Sequence, residues 1–272
     1  MSMSNTKRVA VLFFAGAFAA AVAMAGQTQP QAPTLPKKSG ATGQAATTKK
    51  APVAARTYDR TLLKPALLKD KAPEQYNVKF VTTRGEFTLT VTRAWAPLGA
   101  DRFYTLVKHH FYDNASIFRV VPDFVAQFGI SAYPAVTNAW KGTDIKDDPT
   151  TQSNKRGYVT FATAGANTRT TQVFINLKDN TFLDSRGFAP FGVVDADGMK
   201  VVGMFYDQYG DNAGPDQGKI ETQGKPYVDK GWPKLDTIKS ATLLTSAPAA
   251  ASKPATVKPA TPNSATATKK PQ

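Results

Sequence analysis

Apolar and polar side chains alternate along the chain between Val78 and Val91, with one break. Val78 and Phe80 are separated by a single polar residue, residues 83–86 (Thr-Arg-Gly-Glu) favour a turn, and the alternation resumes at Phe87. A strand places successive side chains on opposite faces, so a period of two indicates a strand with one buried face. The pattern therefore predicts a β-hairpin.

The next segment, residues 97–111, changes to a helical period. Pro97 suits the first turn of a helix, and Asp101 would lie near the positive end of the helix dipole. A second short helix is predicted around Met199–Tyr206, although Gly203 lowers its helix propensity. The apolar face of the first helix would consist of Ala100, Phe103, Tyr104, Val107 and Phe111.

Short apolar runs elsewhere in the middle of the chain predict further strands. We expect a mainly β fold, a closed antiparallel barrel of about eight strands capped by the two short α-helices, because closure removes exposed strand edges. The further strands are predicted at Ile117–Val121, Phe124–Phe128, Tyr158–Ala162, Val173–Leu177, Phe191–Val194 and Ile238–Leu244.

The N-terminus has the layout of a secretory signal peptide. Lys7 and Arg8 form a short basic region, an apolar stretch follows from Val9 to Ala23, and residues 23–25 (Ala-Met-Ala) form a small-x-small cleavage site. About 15 apolar residues are fewer than the roughly 20 that span a membrane. We therefore expect removal of residues 1–25, no membrane span afterwards, and export to a periplasm, with secretion or surface attachment as alternatives.

Two low-complexity segments flank the middle of the chain. Residues 26–59 and 246–272 consist largely of Pro, Ala, Thr and Lys. Such segments bury too little apolar area to offset the entropy of ordering the backbone. We therefore expect a disordered linker and a disordered basic tail on either side of one domain at residues 60–245.

The net charge of +14 is concentrated outside that domain. Residues 1–60 carry eight Lys or Arg against one Asp, and residues 246–272 carry four Lys and no acid. The middle shows no basic stripe interleaved with aromatic residues, so we expect no nucleic-acid partner. The chain has no cysteine, which excludes disulfides, thiol nucleophiles and cysteine-based metal sites.

Most catalytic templates are missing from the sequence. It contains no Gly-x-Ser-x-Gly elbow, no phosphate-binding Gly-rich loop and no His-Glu-x-x-His pair. His109 and His110 are adjacent near the end of the first predicted helix, where a cation is favoured. The acidic turns at 147–148 and 195–198 are too short for a calcium loop. We therefore expect no cofactor and no metal.

Four short blocks of sequence carry a more specific signal. Residues 117–129 run Ile-Phe-Arg-Val-Val-Pro-Asp-Phe-Val-Ala-Gln-Phe-Gly, residues 161–168 run Phe-Ala-Thr-Ala-Gly-Ala-Asn-Thr, and residues 171–175 run Thr-Gln-Val-Phe-Ile. The fourth block joins Leu-Asp at 183–184 to Phe-Gly-Val-Val at 191–194. In this order the blocks resemble those of the cyclophilin family of peptidyl-prolyl cis/trans isomerases. Together with the signal peptide, they indicate an exported bacterial member with a cyclophilin-like barrel.

The resemblance implies isomerisation of Xaa-Pro bonds in proline-containing polypeptides. By resemblance, Arg119 is the catalytic donor, Gln127 holds the substrate backbone beside the proline, and Gln172 positions Arg119 or the peptide. Taken without the family, an arginine in an apolar strand is more commonly a surface ion-pair residue, and buried apolar residues are usually core. The other substrate-binding residues that the resemblance implies are Val121, Phe124, Val125, Ala162, Thr163, Ala164, Phe174, Phe182, Leu183 and Phe188.

Several positions depart from the family pattern. Phe118 replaces a His, Val125 a Met, Thr163 an Asn, Phe182 a Trp and Phe188 a His. Phe118 should point away from the neighbouring arginine on a strand. Because Phe has no indole N–H, we expect weak binding of inhibitors of the cyclosporin class. The departures bear on rate and inhibitor sensitivity more than on reaction type.

Two other functions remain open at this point. The same groove could bind proline-containing chains as a non-catalytic chaperone, or the barrel could be an envelope-associated scaffold whose basic tails attach to anionic surface polymers. A binding groove alone would not need Arg119 and Gln127, which favours the isomerase. We expect a monomer.

Overall fold

The computed structural model describes residues 58–244. The predicted signal peptide (1–25), the linker up to residue 57 and the basic tail (246–272) lie outside the described residues. The described part begins with side chains that contact the domain. The ring of Tyr58 packs against that of Tyr133 with centroids 4.9 Å apart, and the Asp59 carboxylate accepts from the Thr61 backbone N–H at 2.9 Å.

Within residues 58–244, eight strands form one antiparallel sheet, which confirms the expected mainly β fold and the predicted hairpin. Their order across the sheet is β3-β4-β6-β5-β7-β2-β1-β8, and every neighbouring pair is antiparallel. The strands are β1 (Gln75–Thr82), β2 (Glu86–Thr92), β3 (Arg119–Val121), β4 (Val125–Phe128), β5 (Tyr158–Phe161), β6 (Val173–Asn176), β7 (Pro190–Val194) and β8 (Ile238–Leu244).

Burial in the β1–β2 hairpin follows the alternation seen in the sequence. Val78, Phe80, Leu89 and Val91 are at most 1% exposed, while Lys79 and Thr90, which alternate with them, are half-buried. Phe80 lies opposite Phe87 in the register, and the two rings stack with centroids 4.7 Å apart. Aromatic cross-strand pairs of this kind stabilise a sheet and fix its register.

The two ends of the sheet meet through a short backbone contact. Ser116 and Thr237 form an isolated antiparallel bridge just before β3 and β8. On either side of it, the Ile117 N–H donates to the Asp236 carbonyl and the Ile238 N–H donates to the Ala115 carbonyl, both at 2.9 Å. The curled sheet is therefore joined at its edges by this bridge, which is much shorter than a strand ladder.

Five α-helices accompany the sheet in the described part of the chain. The predicted first helix is confirmed, although it ends at the residue before His109, and the second ends just before Gly203. Three further short helices were not predicted. None of the helices within residues 58–244 is long and apolar enough to cross a membrane. The helices are α1 (Pro97–Lys108), α2 (Pro134–Trp140), α3 (Gly198–Val202), α4 (Gln217–Gln223) and α5 (Lys225–Gly231).

A buried carboxylate holds the start of α1. Asp148 accepts from the backbone N–H groups of Leu98 at 3.0 Å and Gly99 at 2.8 Å. Its other partner is Arg169, whose Nη1 donates to the same carboxylate at 3.0 Å. The free N–H groups of a first helical turn need such an acceptor. Asp148 of the acidic turn at 147–148 therefore caps α1, although it lies 50 positions after Leu98 in the sequence.

Outside the main core, a small apolar cluster joins α4 and α5 to the barrel. Phe118, Ile130, Ile220 and Val228 are each at most 3% exposed and pack together. Phe118 directly precedes the strand that carries Arg119. The predicted orientation of this side chain, away from the arginine, agrees with its place in the cluster.

Candidate active site

The β3–β4 hairpin brings the predicted donor and its glutamine into register. Arg119 pairs with Gln127 across the two strands. The connecting turn has Pro122 at its second position, and its third residue, Asp123, has φ 55. The Phe124 N–H closes the turn on the Val121 carbonyl at 3.0 Å. Proline followed by a residue of positive φ is the pattern of a type II turn.

Three polar side chains form a connected row across β3, β4 and the start of β6. Nη1 of Arg119 donates to Oε1 of Gln127 at 3.1 Å, and Nε2 of Gln127 donates to Oε1 of Gln172 at 2.9 Å. A guanidinium has only donors, so it fixes which end of the Gln127 amide faces it. Gln172 therefore holds the Gln127 side chain, and Gln127 in turn holds the guanidinium of Arg119.

Gly129 allows the strands that carry this row to approach each other. Its φ is +111, and a Cβ there would lie 2.5 Å from the Thr171 carbonyl oxygen and 2.7 Å from Cα of Gln172. Any other residue would push the two backbones apart. The glycine that ends the first sequence block thus has a packing role beside the polar row.

An apolar pocket lies next to the guanidinium. Val125, Phe174, Leu183 and Phe188 form its buried cluster and are 1–5% exposed. The rings of Phe174 and Phe188 meet edge to face, with centroids 5.7 Å apart. The pocket is lined by Arg119, Phe124, Val125, Gln127, Ala162, Phe174 and Leu183.

A hydrogen-bond network fixes the pocket wall that contains Leu183 and Phe188. The Asp184 carboxylate accepts from Oγ of Ser153 and from the backbone and side-chain N–H groups of Asn154. Nδ2 of Asn154 also donates to the Phe188 carbonyl at 2.9 Å. Burial favours the neutral form of the Asp184 carboxyl, but these hydrogen bonds outweigh it and lower its pKa.

Aromatic side chains and guanidinium groups form the rim of the pocket. The rings of Phe124 and Phe182 stack with centroids 6.1 Å apart, and Phe182 is 43% exposed. The guanidinium carbon of Arg119 lies 5.6 Å from the centre of the Phe124 ring, and that of Arg186 lies 5.2 Å from the centre of the Phe182 ring. The predicted Phe182 therefore stands at the mouth of the pocket and not in its buried cluster.

Three other predicted site residues lie at the margin. Val121 is half-buried at the end of β3, opposite Val125. Thr163 and Ala164 belong to a turn in which Oγ1 of Thr168 accepts from the Ala164 N–H at 2.9 Å. Ala164 is exposed and does not line the pocket. A role for these residues in holding substrate stays a prediction.

One hydrogen-bond partner of the Arg119 guanidinium, Asp211, was not predicted from the sequence. Nε of Arg119 donates to Oδ1 of Asp211, a residue in the loop between α3 and α4. The two residues are 92 positions apart, and no periodicity or motif connects them. A contact between a strand and a distant loop leaves no local signal.

A larger groove lies elsewhere, between residues 65–70, α1 and residues 140–145. Its volume is about 500 Å³. The cationic groups at its wall include Lys69 and Arg102, and Arg102 already donates to the Thr170 carbonyl at 2.9 Å. The pocket beside Arg119 is smaller, but it combines an apolar cluster with a guanidinium held by polar neighbours.

Known proteins resemble this chain over the same region. A family model described as "Cyclophilin type peptidyl-prolyl cis-trans isomerase/CLD" matches residues 77–224, more than half of the chain. Peptidyl-prolyl cis-trans isomerase ppi1 of Schizosaccharomyces pombe is 35% identical over 117 residues, which cover 40% of this chain and 73% of the relative. Peptidyl-prolyl cis-trans isomerase A of Dickeya dadantii is 30% identical over 157 residues, which cover 56% and 80%.

One further curated relative and one solved structure are also similar to this chain. A peptidyl-prolyl cis-trans isomerase of Acinetobacter baylyi is 32% identical over 130 residues, which cover 46% of this chain and 69% of the relative. A solved cyclophilin type isomerase of Cryptosporidium parvum is 20% identical, with a TM-score of 0.46, and covers 63% of this chain and 98% of its own. From the family match and these curated relatives, the chain belongs to the cyclophilin-type peptidyl-prolyl cis-trans isomerases.

Proposed function

We propose that Arg119 is the catalytic donor for rotation of Xaa-Pro bonds in exported polypeptides. The observation that carries this proposal is the position of its guanidinium at the wall of a buried apolar pocket, held by Gln127. The pocket takes the proline ring, and the donor then lies beside the bond that must turn.

The chemistry needs only a positioned donor. Partial double-bond character sets a barrier of about 18–20 kcal/mol to rotation of the peptide bond. In the twisted state the resonance is lost and the prolyl nitrogen gains a usable lone pair. A guanidinium N–H directed at that nitrogen binds the twisted state more strongly than either planar state, which lowers the barrier. No covalent intermediate forms, and no proton is transferred.

The remaining polar row prepares Arg119 for this role. Gln127 is 7% exposed and uses its amide oxygen on Arg119 and one amide N–H on Gln172. Its second amide N–H is available to a substrate carbonyl next to the proline. The apolar cluster around Phe174 and Leu183 orients the ring and excludes water.

The test of this proposal is the cis/trans exchange rate of a short Xaa-Pro peptide, measured by NMR exchange spectroscopy. We expect Arg119→Ala to lower kcat/KM by about 10²-fold or more, the usual effect of removing one donor to developing charge. Arg156→Ala removes an exposed guanidinium that does not line the pocket and serves as the matched control. Equal exchange in the wild type and Arg119→Ala would refute the proposal and leave a binding module.

Export of the protein is the second part of the proposal. It is supported by the basic, apolar and small-x-small order of residues 1–25. We expect protein recovered from the periplasm of a bacterial host to begin at Gly26, as determined by N-terminal sequencing. An intact N-terminus on protein that stays in the cytoplasm would refute export and, with it, exported proteins as the substrates.

A further inference from the structure

Arg119 has a second partner, which comes from a loop late in the chain. Its Nε donates to the Asp211 carboxylate at 2.5 Å, and its Nη1 donates to Gln127 at 3.1 Å. Two of the three guanidinium nitrogens are thus held. Of the five N–H groups of the guanidinium, three have no protein partner among residues 58–244. These three remain for a substrate.

The loop that carries Asp211 is fixed to the strand that carries Arg119. A Cβ on Gly214 would lie 3.5 Å from the Phe118 carbonyl oxygen, so the loop passes directly beside the residue before Arg119. Nε1 of Trp232 donates to the Ala213 carbonyl at 2.7 Å. The loop backbone is therefore held between β3 and the segment that follows α5.

The helices beyond the loop strengthen this attachment. Asp216 caps α4 by accepting from the Lys219 N–H at 2.8 Å. Ile220 of α4 and Val228 of α5 are buried against Phe118. The apolar cluster thus connects α4 and α5, which follow the loop of Asp211, to the residue adjacent to Arg119.

We propose that Asp211 is a positioning residue that sets the guanidinium of Arg119 before substrate arrives. This inference rests on the proposed role of Arg119 as donor. An arginine side chain has many rotamers, and each bond made in advance reduces the freedom that is lost when the transition state forms. Asp211 and Gln127 contact different nitrogens, so together they fix the plane of the group.

The exposure of the pair argues for an effect on rate and not on folding. The Asp211 side chain is 51% exposed, while that of Arg119 is 17% exposed. An exposed ion pair adds little to the stability of a fold. Loss of the Asp211 carboxylate should therefore leave the fold intact and release the guanidinium.

The experiment compares kcat and KM for Asp211→Ala, Asp211→Asn and Asp207→Ala in the full chain, by peptide exchange. We expect Asp211→Ala to lower kcat about tenfold, because a misplaced catalytic group costs about that much or more, with KM and the unfolding midpoint unchanged. Asp211→Asn keeps an acceptor oxygen and should restore most of the rate. Asp207→Ala removes a carboxylate from the same loop that does not contact Arg119, and should have no effect.

A spectroscopic readout makes the test independent of turnover. The Nε–H resonance of Arg119 can be assigned by its loss in Arg119→Lys. We expect this proton to exchange slowly with water in the wild type and in Asp211→Asn, and rapidly in Asp211→Ala. A purely structural role for Asp211 would not change one guanidinium resonance selectively.

The outcomes separate this inference from the function on which it rests. Faster Nε–H exchange in Asp211→Ala with an unchanged kcat would overturn the positioning role while leaving Arg119 as donor. An equal loss of rate in Asp211→Ala and Asp207→Ala would also overturn it, since the effect would belong to the loop. An unchanged rate in Arg119→Ala would refute the proposed function itself.

Discussion

The two halves of the site differ in how they are built. The apolar half consists of core-like side chains, Val125, Phe174, Leu183 and Phe188, which are 1–5% exposed. The polar half consists of a partly exposed guanidinium whose partners come from a neighbouring strand and a distant loop. We therefore expect binding and stability to be coupled in the apolar half, whereas changes in the polar half should alter the rate without altering the fold.

The largest effect should follow from damage to the apolar half. Leu183 is 1% exposed, so Leu183→Ala should lower the free energy of unfolding by about 2–5 kcal/mol, the usual range for a buried leucine. The same change removes part of the proline contact, and KM should rise about tenfold. Urea denaturation and peptide exchange measure the two effects.

An exposed leucine provides the control for this variant. Leu67 is 73% exposed, so Leu67→Ala should alter neither stability nor KM. If Leu183→Ala lowered kcat while KM stayed constant, the division of labour between the two halves would be wrong.

In the polar half, Gln127→Ala should act mainly on the rate. The change leaves Nη1 of Arg119 and Oε1 of Gln172 without their present partner. A guanidinium released in this way is misplaced, which costs about tenfold or more in rate, and we expect kcat to fall about tenfold. Gln208→Ala, at an exposed position, is the matched control. A rise in KM with kcat unchanged would show that Gln127 contributes to substrate binding and not to the rate.

A smaller effect is expected at the rim, where Phe182→Trp adds an indole N–H. Phe182 is 43% exposed, so the larger ring should fit without strain. One new hydrogen bond contributes about 0.5–1.5 kcal/mol, and affinity for a cyclosporin-class inhibitor should rise about threefold to tenfold by calorimetry. Unchanged affinity would show that the absent N–H does not limit inhibitor binding.

The smallest effect concerns pH and the wall that carries Leu183. Hydrogen bonds from Ser153 and Asn154 overcome the opposing effect of burial and lower the pKa of Asp184 below its ordinary value of 3.8. A carboxylate with a lowered pKa in the folded state stabilises the fold above its unfolded pKa, and this contribution is lost as pH falls through the folded pKa. Acid should therefore weaken the wall.

Urea denaturation at pH 5 and pH 3 measures this contribution. We expect Asp184→Asn to lower stability at pH 5 and to lose less stability than the wild type on acidification. Other carboxylates with lowered pKa values, Asp59, Asp70 and Asp101, are common to both proteins and cancel in the comparison. Identical pH dependence of stability in the two proteins would show that Asp184 does not contribute to the loss of stability in acid.

Elements with a clear period or a sequence block could be predicted from the sequence. The period of two in residues 78–91 gave the hairpin, and β8 has the predicted bounds, Ile238–Leu244. Arg119 and Gln127 occur in one block and face each other because a tight turn pairs their strands. Their contact is thus nearly local in sequence.

What the sequence did not reveal depends on short elements and distant contacts. Helices α2, α4 and α5 have seven residues each, too few for a 3.6-residue period to stand out. Asp211 lies 92 positions from Arg119 and reaches it from a loop that passes beside Phe118. Ala164, which the second block placed in the site, is exposed in its turn, and its role in holding substrate stays a prediction. Turn geometry, and not residue identity, determines which of its atoms can meet a ligand.

The most direct test of the two-half account is the Kd of an Xaa-Pro peptide for Arg119→Ala, measured by NMR titration. The apolar half is untouched in this variant, so we expect a Kd within about threefold of the wild-type value although the exchange rate collapses, because the donor acts in the transition state and not in the ground state. A Kd weakened by the same factor as the rate would contradict it, since Arg119 would then belong to the binding half.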